Sequence, residues 1–136
     1  MSAATDTDTR KLVVCALGAE EYGLPIEHVR EIVRFAEPRH VASDVPWMLG
    51  VISLRGRLVP VHDLALRLGV PSARGAAAKL VIVDTGEEPV GVLVDDVVEV
   101  LSVDEAQLES VPSGEGRIAR VGDRLVLLLD GDELAA

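Results

Sequence analysis

The sequence predicts a mainly all-β protein made of two similar small barrels with a few short helices. Three observations support this: the two halves of the chain resemble each other, short apolar runs alternate with glycine-containing turns, and helical segments are few. Hydrophobic residues make up 49% of the 136 residues but aromatic residues only 2%, so the core must consist of Val, Leu, Ile and Ala.

An internal repeat sets the architecture. Residues 11–33 align with residues 79–101 without a gap at a shift of 68, and "RLVPVHD" (57–63) matches "RLVLLLD" (124–130) at a shift of 67. Two β-rich stretches can look alike by composition, but matched glycines at a nearly constant shift favour a true repeat. The identical pairs in the longer alignment are Lys11/Lys79, Leu12/Leu80, Val13/Val81, Gly18/Gly86, Glu20/Glu88, Gly23/Gly91, Val29/Val97 and Glu31/Glu99.

Each half has the same predicted order of elements. A first strand leads through an acidic, glycine-containing turn to a second strand, a short apolar stretch follows, and a later hairpin returns through "RLVPV" or "RLVLLL". Many short strands of this kind favour nearly closed barrels over a doubly wound α/β sheet. The three segments are 12–17, 22–26 and 29–33 in the first half and 80–84, 90–94 and 97–101 in the second.

Three short segments predict helical turns. "DVPWMLG" (44–50) has an early proline and a final glycine, which indicates one or two turns. "DLALRLG" begins at Asp63, a good N-cap, and ends at Gly69. "PIEHVREI" predicts a single turn with Pro25 at its first position.

The repeat also suggests domain boundaries. We expect residues 1–10 to be a disordered lead-in and residues 11–136 to form one domain. Within that domain, lobe 1 is expected over roughly 20–70 and lobe 2 over roughly 79–130, with strands exchanged between them. The segment "PSARGAAA" (71–78) is expected to be a flexible crossover.

Charge and composition exclude several classes of function. Twenty-three acidic residues against 13 basic ones give a net charge of −10, which disfavours nucleic acid and anionic membranes as partners. No segment approaches the ~18 apolar residues of a membrane span, and the first ten residues lack an apolar signal core, so we expect a cytosolic protein. The lone Cys15 is expected to be a buried thiol, because the chain has no second cysteine for a disulfide or a metal cluster.

The hairpin "GVISLRGRLVPV" contains a candidate binding residue. Gly56 can adopt the positive φ that a tight turn requires, which places Arg55 at the turn on a rigid scaffold. A solvated turn arginine is one interpretation. However, the counterpart of Arg55 in the second half is Gly122, so the symmetric fold does not need the arginine. A rigidly placed guanidinium is suited to holding a carboxylate or carbonyl at an interface.

Three longer motifs resemble one protein family. "LGAEEYGLPIEHVREIV", "GVISLRGRLVPVHDL" and "VGDRLVLLLD" closely resemble the CheW family, the coupling proteins of bacterial chemosensory arrays, and the resemblance covers roughly residues 11–134. It implies two intertwined SH3-like β-barrels. It also implies a non-enzymatic adaptor, without cofactor or metal, that links the cytoplasmic tips of methyl-accepting chemoreceptors to the regulatory domain of a CheA-type histidine kinase.

The resemblance also implies site residues. Glu31 and Arg55 match the acid and the arginine that form an ion pair beside the receptor-binding groove in the family. Val29 and Gly50 match positions associated with receptor contact, and Gly56 completes the hairpin turn. We therefore expect these five residues to form the receptor-binding interface, and we expect the bacterial cytoplasm, at receptor arrays, as the location.

Departures from the family pattern keep a second adaptor function open. The link at residues 109–118 is short, and the chain ends at Ala136 without the C-terminal helix of many relatives. These features put kinase docking and ring assembly in question, so a variant that binds receptor but not kinase and tunes the pathway is an alternative. Two smaller departures are Pro25, where an N-capping Asp is common, and His62, which replaces an apolar residue.

Other classes of function need features that the sequence does not favour. A small-ligand-binding β-barrel would need an internal cavity, whereas small barrels filled with Val and Leu are normally solid. A hydrolase would need a triad such as Ser53, His62 and Asp63, but adjacent His and Asp are poorly placed for the orienting hydrogen bond. Asp95 and Asp96 are expected to face opposite ways in an extended chain, which spoils a shared cation site.

Overall fold

The computed structural model describes residues 9–129 and Leu134, except for residues 85, 87, 113 and 115. The described part is mostly β-strand, as the sequence predicts, with one short α-helix and two single 3-10 turns at Ile26–His28 and Glu105–Gln107. Its elements are β1 (Thr9–Leu17), β2 (Glu20–Pro25), β3 (Val29–Arg34), β4 (Met48–Leu54), β5 (Arg57–Asp63), α1 (Leu64–Leu68), β6 (Lys79–Asp84), β7 (Pro89–Val94), β8 (Asp96–Asp104), β9 (Leu108–Ser110), β10 (Arg117–Val121) and β11 (Arg124–Leu128).

The strands form two sheets, and each sheet takes strands from both halves of the chain. The five-stranded sheet has the order β3-β6-β7-β5-β4, and we call it the first lobe. The six-stranded sheet has the order β8-β1-β2-β11-β10-β9, and we call it the second lobe. The opening hairpin of each half therefore belongs to the lobe formed by the other half. The chain therefore exchanges whole hairpins between the lobes, which is a more extensive exchange than the expected lobe ranges of 20–70 and 79–130 suggest.

The pairing of the strands confirms the internal repeat. In the first lobe β5 runs parallel to β7, with Val61 opposite Gly91. In the second lobe β11 runs parallel to β2, with Leu128 opposite Gly23. These two contacts are related by the same shifts of 67 and 68 that align the sequence halves. The same repeat places β3 beside β6 and β8 beside β1.

Aliphatic side chains fill the interior of both lobes, as the composition predicts. The largest buried cluster takes residues from β1, β2, β6, β7 and α1, so both lobes share it. Burying a Val or Leu side chain contributes about 1.5–3 kcal/mol, which makes this shared cluster the main attachment between the lobes. Cys15 is fully buried in it, and burial, followed by the charge of Asp96, raises the pKa of its thiol to about 12.

Two of the three predicted helical turns are confirmed. Asp63 caps α1 by accepting a hydrogen bond from the Leu66 N–H at 3.1 Å, and Gly69 ends the helix in the left-handed conformation. Pro25 precedes the first 3-10 turn, which has no side-chain cap bond, because proline stands where an Asp could have capped it.

The prediction of a helical segment over 44–50 is wrong, because the structure has no helix there. Only one hydrogen-bonded turn forms, from the Met48 N–H to the Val45 carbonyl, and Met48 already begins β4. Gly50 does not end a helix but lies buried at an irregularity of this strand, with φ of 148°. A Cβ there would overlap the Arg39 carbonyl, which pairs with Val51. Strand pairing on both sides of β4 thus overrides the local Pro and Gly signals.

The crossover over 71–78 has no regular secondary structure but is anchored to the lobes. Asp95 is buried and accepts hydrogen bonds from the Ser72 hydroxyl at 2.7 Å and the Ala73 N–H at 2.6 Å. It also accepts one from the Gly18 N–H in the β1–β2 turn at 2.7 Å. At the chain start, residues 1–8 of the expected lead-in lie outside the described residues, whereas Thr9 and Arg10 pair in β1.

Candidate functional site

The turn between β4 and β5 holds Arg55 in a rare backbone conformation. Arg55 has φ of 52° and Gly56 has φ of 80°, which fits a two-residue type I′ hairpin. The positive φ of Gly56 was predicted from sequence; that of Arg55 was not, and it is the single positive-φ non-glycine position among the described residues. The left-handed region costs a residue with a Cβ about 1–2 kcal/mol. Gly122, its repeat counterpart, has φ of 61°.

Arg55 forms a two-pronged ion pair with Glu31 on β3. Its Nη2 donates to Glu31 Oε1 at 2.9 Å, and its Nε donates to Oε2 at 3.1 Å. The arginine side chain is 75% exposed, whereas the glutamate is only 24% exposed, so the pair lies at the surface with its acidic end more covered. The hydrogen bond from Arg55 lowers the pKa of Glu31, and the same bond raises the pKa of Arg55.

The ion pair forms one wall of a small groove on the first lobe. The groove has a volume of about 110 Å³. Its floor is apolar and its rim is charged, which is the usual composition of a protein-docking groove. The lining residues are Arg30, Glu31, Leu54, Arg55, Arg57, Val59, Ile82 and Pro89.

The structure places the five expected site residues in different environments. Glu31 and Arg55 line the groove, and Gly56 adjoins it at an open turn, where an added Cβ would meet no atom within 4 Å. Val29 is half-buried and packs against the shared core cluster. Gly50 is buried within β4, where the lack of a Cβ allows the close approach of the Arg39 carbonyl. The receptor-contact roles of all five residues stay predictions.

Sequence reasoning missed most of the groove lining. The basic residues Arg30 and Arg57 lie in the quoted motifs, close in sequence to Glu31 and Arg55. This closeness in sequence was the one signal that could have predicted them as groove residues. The floor residues Val59, Ile82 and Pro89 come from β5, β6 and β7. They are brought together only by the exchange of strands between the halves, which no local pattern reveals.

The candidate catalytic residues do not assemble. Ser53 lies opposite Leu58 in the β4–β5 ladder, whereas His62 lies opposite Met48, and the Asp63 carboxylate caps α1. His62 is half-buried, and burial, together with the charge of Arg67, lowers its pKa. Among the described residues, no group of three His, Cys, Asp or Glu side chains could hold a metal ion.

Asp95 and Asp96 have separate partners, as predicted. Asp95 faces the crossover and the β1–β2 turn, whereas Asp96 accepts a hydrogen bond from the Val97 N–H at 2.8 Å and lies 3.9 Å from Lys79 Nζ. The two carboxylates therefore do not form a shared cation site.

A larger depression of about 580 Å³ lies on the second lobe. Exposed Arg10, Lys11 and Gly116 are part of its lining, so it opens at the surface and is not a cavity inside a barrel. In the part of the chain that the structure describes, no helix is long and apolar enough to cross a membrane.

The fold and the groove define a class of protein: a double SH3-like β-barrel domain with a surface groove beside a rigid hairpin. Residues 11–136 match the model of the CheW-like domain, and the chain belongs to this family. The family assignment agrees with the resemblance carried by the sequence motifs.

Individual relatives match over most of the chain. A probable chemotaxis protein CheW of Rhizobium etli is 34% identical over 122 residues, covering 89% of this chain and 79% of that protein. The chemotaxis protein CheW of Bacillus subtilis is 32% identical over 105 residues, covering 76% of this chain and 67% of that protein. The crystal structure of the scaffolding protein TtCheW from Thermoanaerobacter tengcongensis superposes with a TM-score of 0.81 at 30% identity, covering 88% of this chain and 82% of that one.

Proposed function

We propose that this protein is a cytoplasmic chemosensory adaptor that couples the signalling tips of chemoreceptors to the regulatory domain of a CheA-type histidine kinase. One observation carries the proposal: the preformed groove on the first lobe, walled by the Glu31–Arg55 ion pair. Family membership and relatives named as chemotaxis and scaffolding proteins support it.

The groove is suited to docking because its charged wall is held in place before a partner arrives. The tight turn fixes the backbone of Arg55, and two hydrogen bonds to Glu31 fix the guanidinium. Preorganised groups lose less conformational entropy on binding. The apolar floor supplies contact area, and the ion pair sets the register of the partner.

An adaptor needs a second surface, and the second lobe offers one. Val98 is 45% exposed and Val100 is 53% exposed, and both lie on β8 at an edge of the six-stranded sheet. Exposed apolar side chains on an edge strand favour protein contact. We assign the receptor to the groove and the kinase to this strand, so that both bind at once and the receptor state biases kinase activity at the array.

A binding assay tests the function. The receptor cytoplasmic fragment and the kinase from the same organism are each titrated against this protein, separately and together. We expect both to bind and a ternary complex to form. Binding of the receptor alone would favour the alternative of a pathway tuner, and binding of neither would overturn the proposal.

The role of the groove is tested with Arg55→Ala. Because the ion pair is at the surface, it contributes little to stability, and we expect the melting temperature to change by only a few degrees (~2–4 °C per kcal/mol). Receptor binding should weaken clearly.

A matched control is Arg120→Ala, which removes another exposed arginine–glutamate pair, to Glu109 at 2.6 Å on the second lobe. This variant should bind receptor like the wild type. If Arg55→Ala unfolds the protein while binding per folded molecule is unchanged, the docking role is wrong.

A further inference from the structure

The internal repeat shows that one groove arginine has lost the partners that its counterpart keeps. Arg57 of the first lobe corresponds to Arg124 of the second. Arg124 donates to Glu21 at 3.0 Å and to Glu99 at 2.7 Å, so its guanidinium is satisfied by two carboxylates.

Around Arg57, neither of the two corresponding acidic positions provides a carboxylate that is available for an ion pair. The counterpart of Glu21 is Pro89, which cannot form an ion pair, and the counterpart of Glu99 is Glu31, which is engaged by Arg55. Arg57 is exposed and has no ion pair or side-chain hydrogen bond within the described residues. The first lobe thus keeps the cation but removes its internal partners.

A second unpaired cation lies on the same groove. Arg30 is exposed on β3 beside Glu31 and has no ion-pair partner in the described part of the chain. Its counterpart in the repeat is Val98, so the symmetric fold does not require a charge at this position. The groove therefore carries three guanidinium groups and one carboxylate, in a chain of net charge −10.

Asp84, an acid of the adjoining ladder, is not among the residues that line the groove. Asp84 lies opposite Pro89 at the end of β6, where its carboxylate accepts a hydrogen bond from the Gly86 N–H at 3.1 Å. A local excess of cations on an acidic protein complements an anionic partner, and guanidinium groups bind carboxylates with two parallel hydrogen bonds.

We propose that Arg57 and Arg30 bind a carboxylate side chain of the docking partner, next to an apolar side chain that fills the floor of the groove. This inference rests on the proposed function and specifies it: the receptor segment that docks here presents an acidic residue adjoining an apolar one. Arg57 and Arg30 then determine which receptor sequences bind, while Glu31 and Arg55 shape the groove.

Charge reversal tests the proposal. Arg57→Glu, Arg30→Glu and the double variant are titrated with the receptor cytoplasmic fragment. A charge-assisted hydrogen bond is worth ~1.5–3 kcal/mol, so each single variant should weaken binding roughly tenfold or more. Wild-type binding should weaken with added salt, and the double variant should show a smaller salt dependence. Thermal unfolding of Arg57→Glu should be nearly unchanged, because Arg57 has no ion pair or side-chain hydrogen bond among the described residues. Arg30→Glu should lower the melting temperature slightly, because the charge of Arg30 favours the ionised form of Glu31.

The control is Arg34→Glu, which makes the same charge change on an exposed position of β3 outside the groove lining. It should bind the receptor fragment nearly as well as the wild type. Changing acidic residues of the receptor tip to Lys should restore binding to Arg57→Glu at the position that contacts it, and failure of every such swap would overturn the proposal.

The outcomes separate this inference from the function itself. If Arg57→Glu and Arg30→Glu bind like Arg34→Glu while Arg55→Ala binds weakly, the groove docks the receptor without an acidic contact and the inference is wrong. If the wild type does not bind the receptor fragment, the proposed function fails and the inference fails with it.

Discussion

At the scale of single residues, position 55 carries two opposing requirements. The backbone conformation, with φ of 52°, favours glycine, and the repeat places Gly122 at the corresponding position with φ of 61°. The groove, however, needs a guanidinium to hold Glu31. An arginine in this conformation lowers the stability of the turn, which indicates that the side chain is kept for something other than folding.

This conflict predicts a difference between two variants of the same residue. Arg55→Gly and Arg55→Ala both remove the ion pair, but only glycine relieves the left-handed backbone. We expect Arg55→Gly to be more stable than Arg55→Ala by about 1 kcal/mol, measured by urea unfolding. Both should bind receptor weakly. Equal stabilities would show that the turn relaxes to another conformation when the arginine is lost.

The sequence predicted this site unevenly. Glu31 and Arg55 were identified through the family motifs, and their ion pair follows from side-chain chemistry once β3 and the hairpin are close. The positive φ of Arg55 could not be predicted, because this backbone conformation is typical of glycine or asparagine and rare for arginine. The isolation of Arg57 could not be predicted either, since it depends on Pro89 lying beside β5 in space.

At the scale of elements, Asp95 fixes the crossover between the halves. Burial tends to raise the pKa of Asp95, but hydrogen bonds from Gly18, Ser72 and Ala73, with the charge of Arg74, outweigh it, so that its pKa lies below its usual 3.8. The carboxylate joins the crossover to the β1–β2 turn, and these belong to different parts of the chain.

We expect Asp95→Ala to destabilise the protein by about 2 kcal/mol at neutral pH, because it removes the hydrogen bonds that the Gly18 and Ala73 N–H groups and the Ser72 hydroxyl donate to a charged carboxylate. The folded-state pKa is lowered, so the wild-type carboxylate stabilises the fold above its unfolded-state pKa, and this stability is lost as pH falls through the folded-state value. The difference between wild type and variant should therefore be full at pH 7 and shrink below about pH 4.

Denaturant unfolding of the wild type and of Asp95→Ala, measured from pH 7 to pH 3, checks the predicted pH dependence of their difference in stability. A difference that stays constant over the whole range would contradict the role of the ionised carboxylate.

Elements with a repeated pattern were predicted better than elements with a single signal. The core strands were found because apolar alternation, glycine turns and the repeat agree, and α1 was found because Asp63 and Gly69 both mark its ends. Residues 44–50 were misread because an Asp, a Pro and a Gly resemble helix ends. In the structure Gly50 is needed for a different reason, which is the close approach of the Arg39 carbonyl to β4.

At the scale of the whole molecule, the repeat predicted two barrels, but the full extent of strand exchange came from the structure. Parallel pairing of β2 with β11 and of β7 with β5 joins strands that are far apart in the sequence. Local sequence patterns specify strands but not which distant strands pair. The strands that pair with each opening hairpin therefore could not be predicted from the sequence. The consequence is that neither half of the chain contains a complete lobe.

This topology predicts the behaviour of a chain divided at Gly75, an exposed crossover position with open space around it. The fragment of residues 1–75 would hold β1–β2 without β8 and β11, and the fragment of residues 76–136 would hold β6–β7 without β3 and β5. Each fragment alone exposes the apolar face of its hairpin, so we expect no cooperative unfolding of either as a monomer. Mixed together they should form a 1:1 complex with the circular dichroism spectrum of the intact protein.

Size-exclusion chromatography with thermal unfolding distinguishes the outcomes. The control is the intact chain with a protease site inserted at Gly75 and cleaved after folding, which should stay assembled because the shared core of Val81, Val83, Val13 and Leu24 spans the cut. A fragment that unfolds cooperatively as a monomer would contradict the exchanged topology. Reassembly would show that the two lobes fold only together, so the groove and the exposed edge strand β8 are parts of one cooperative unit.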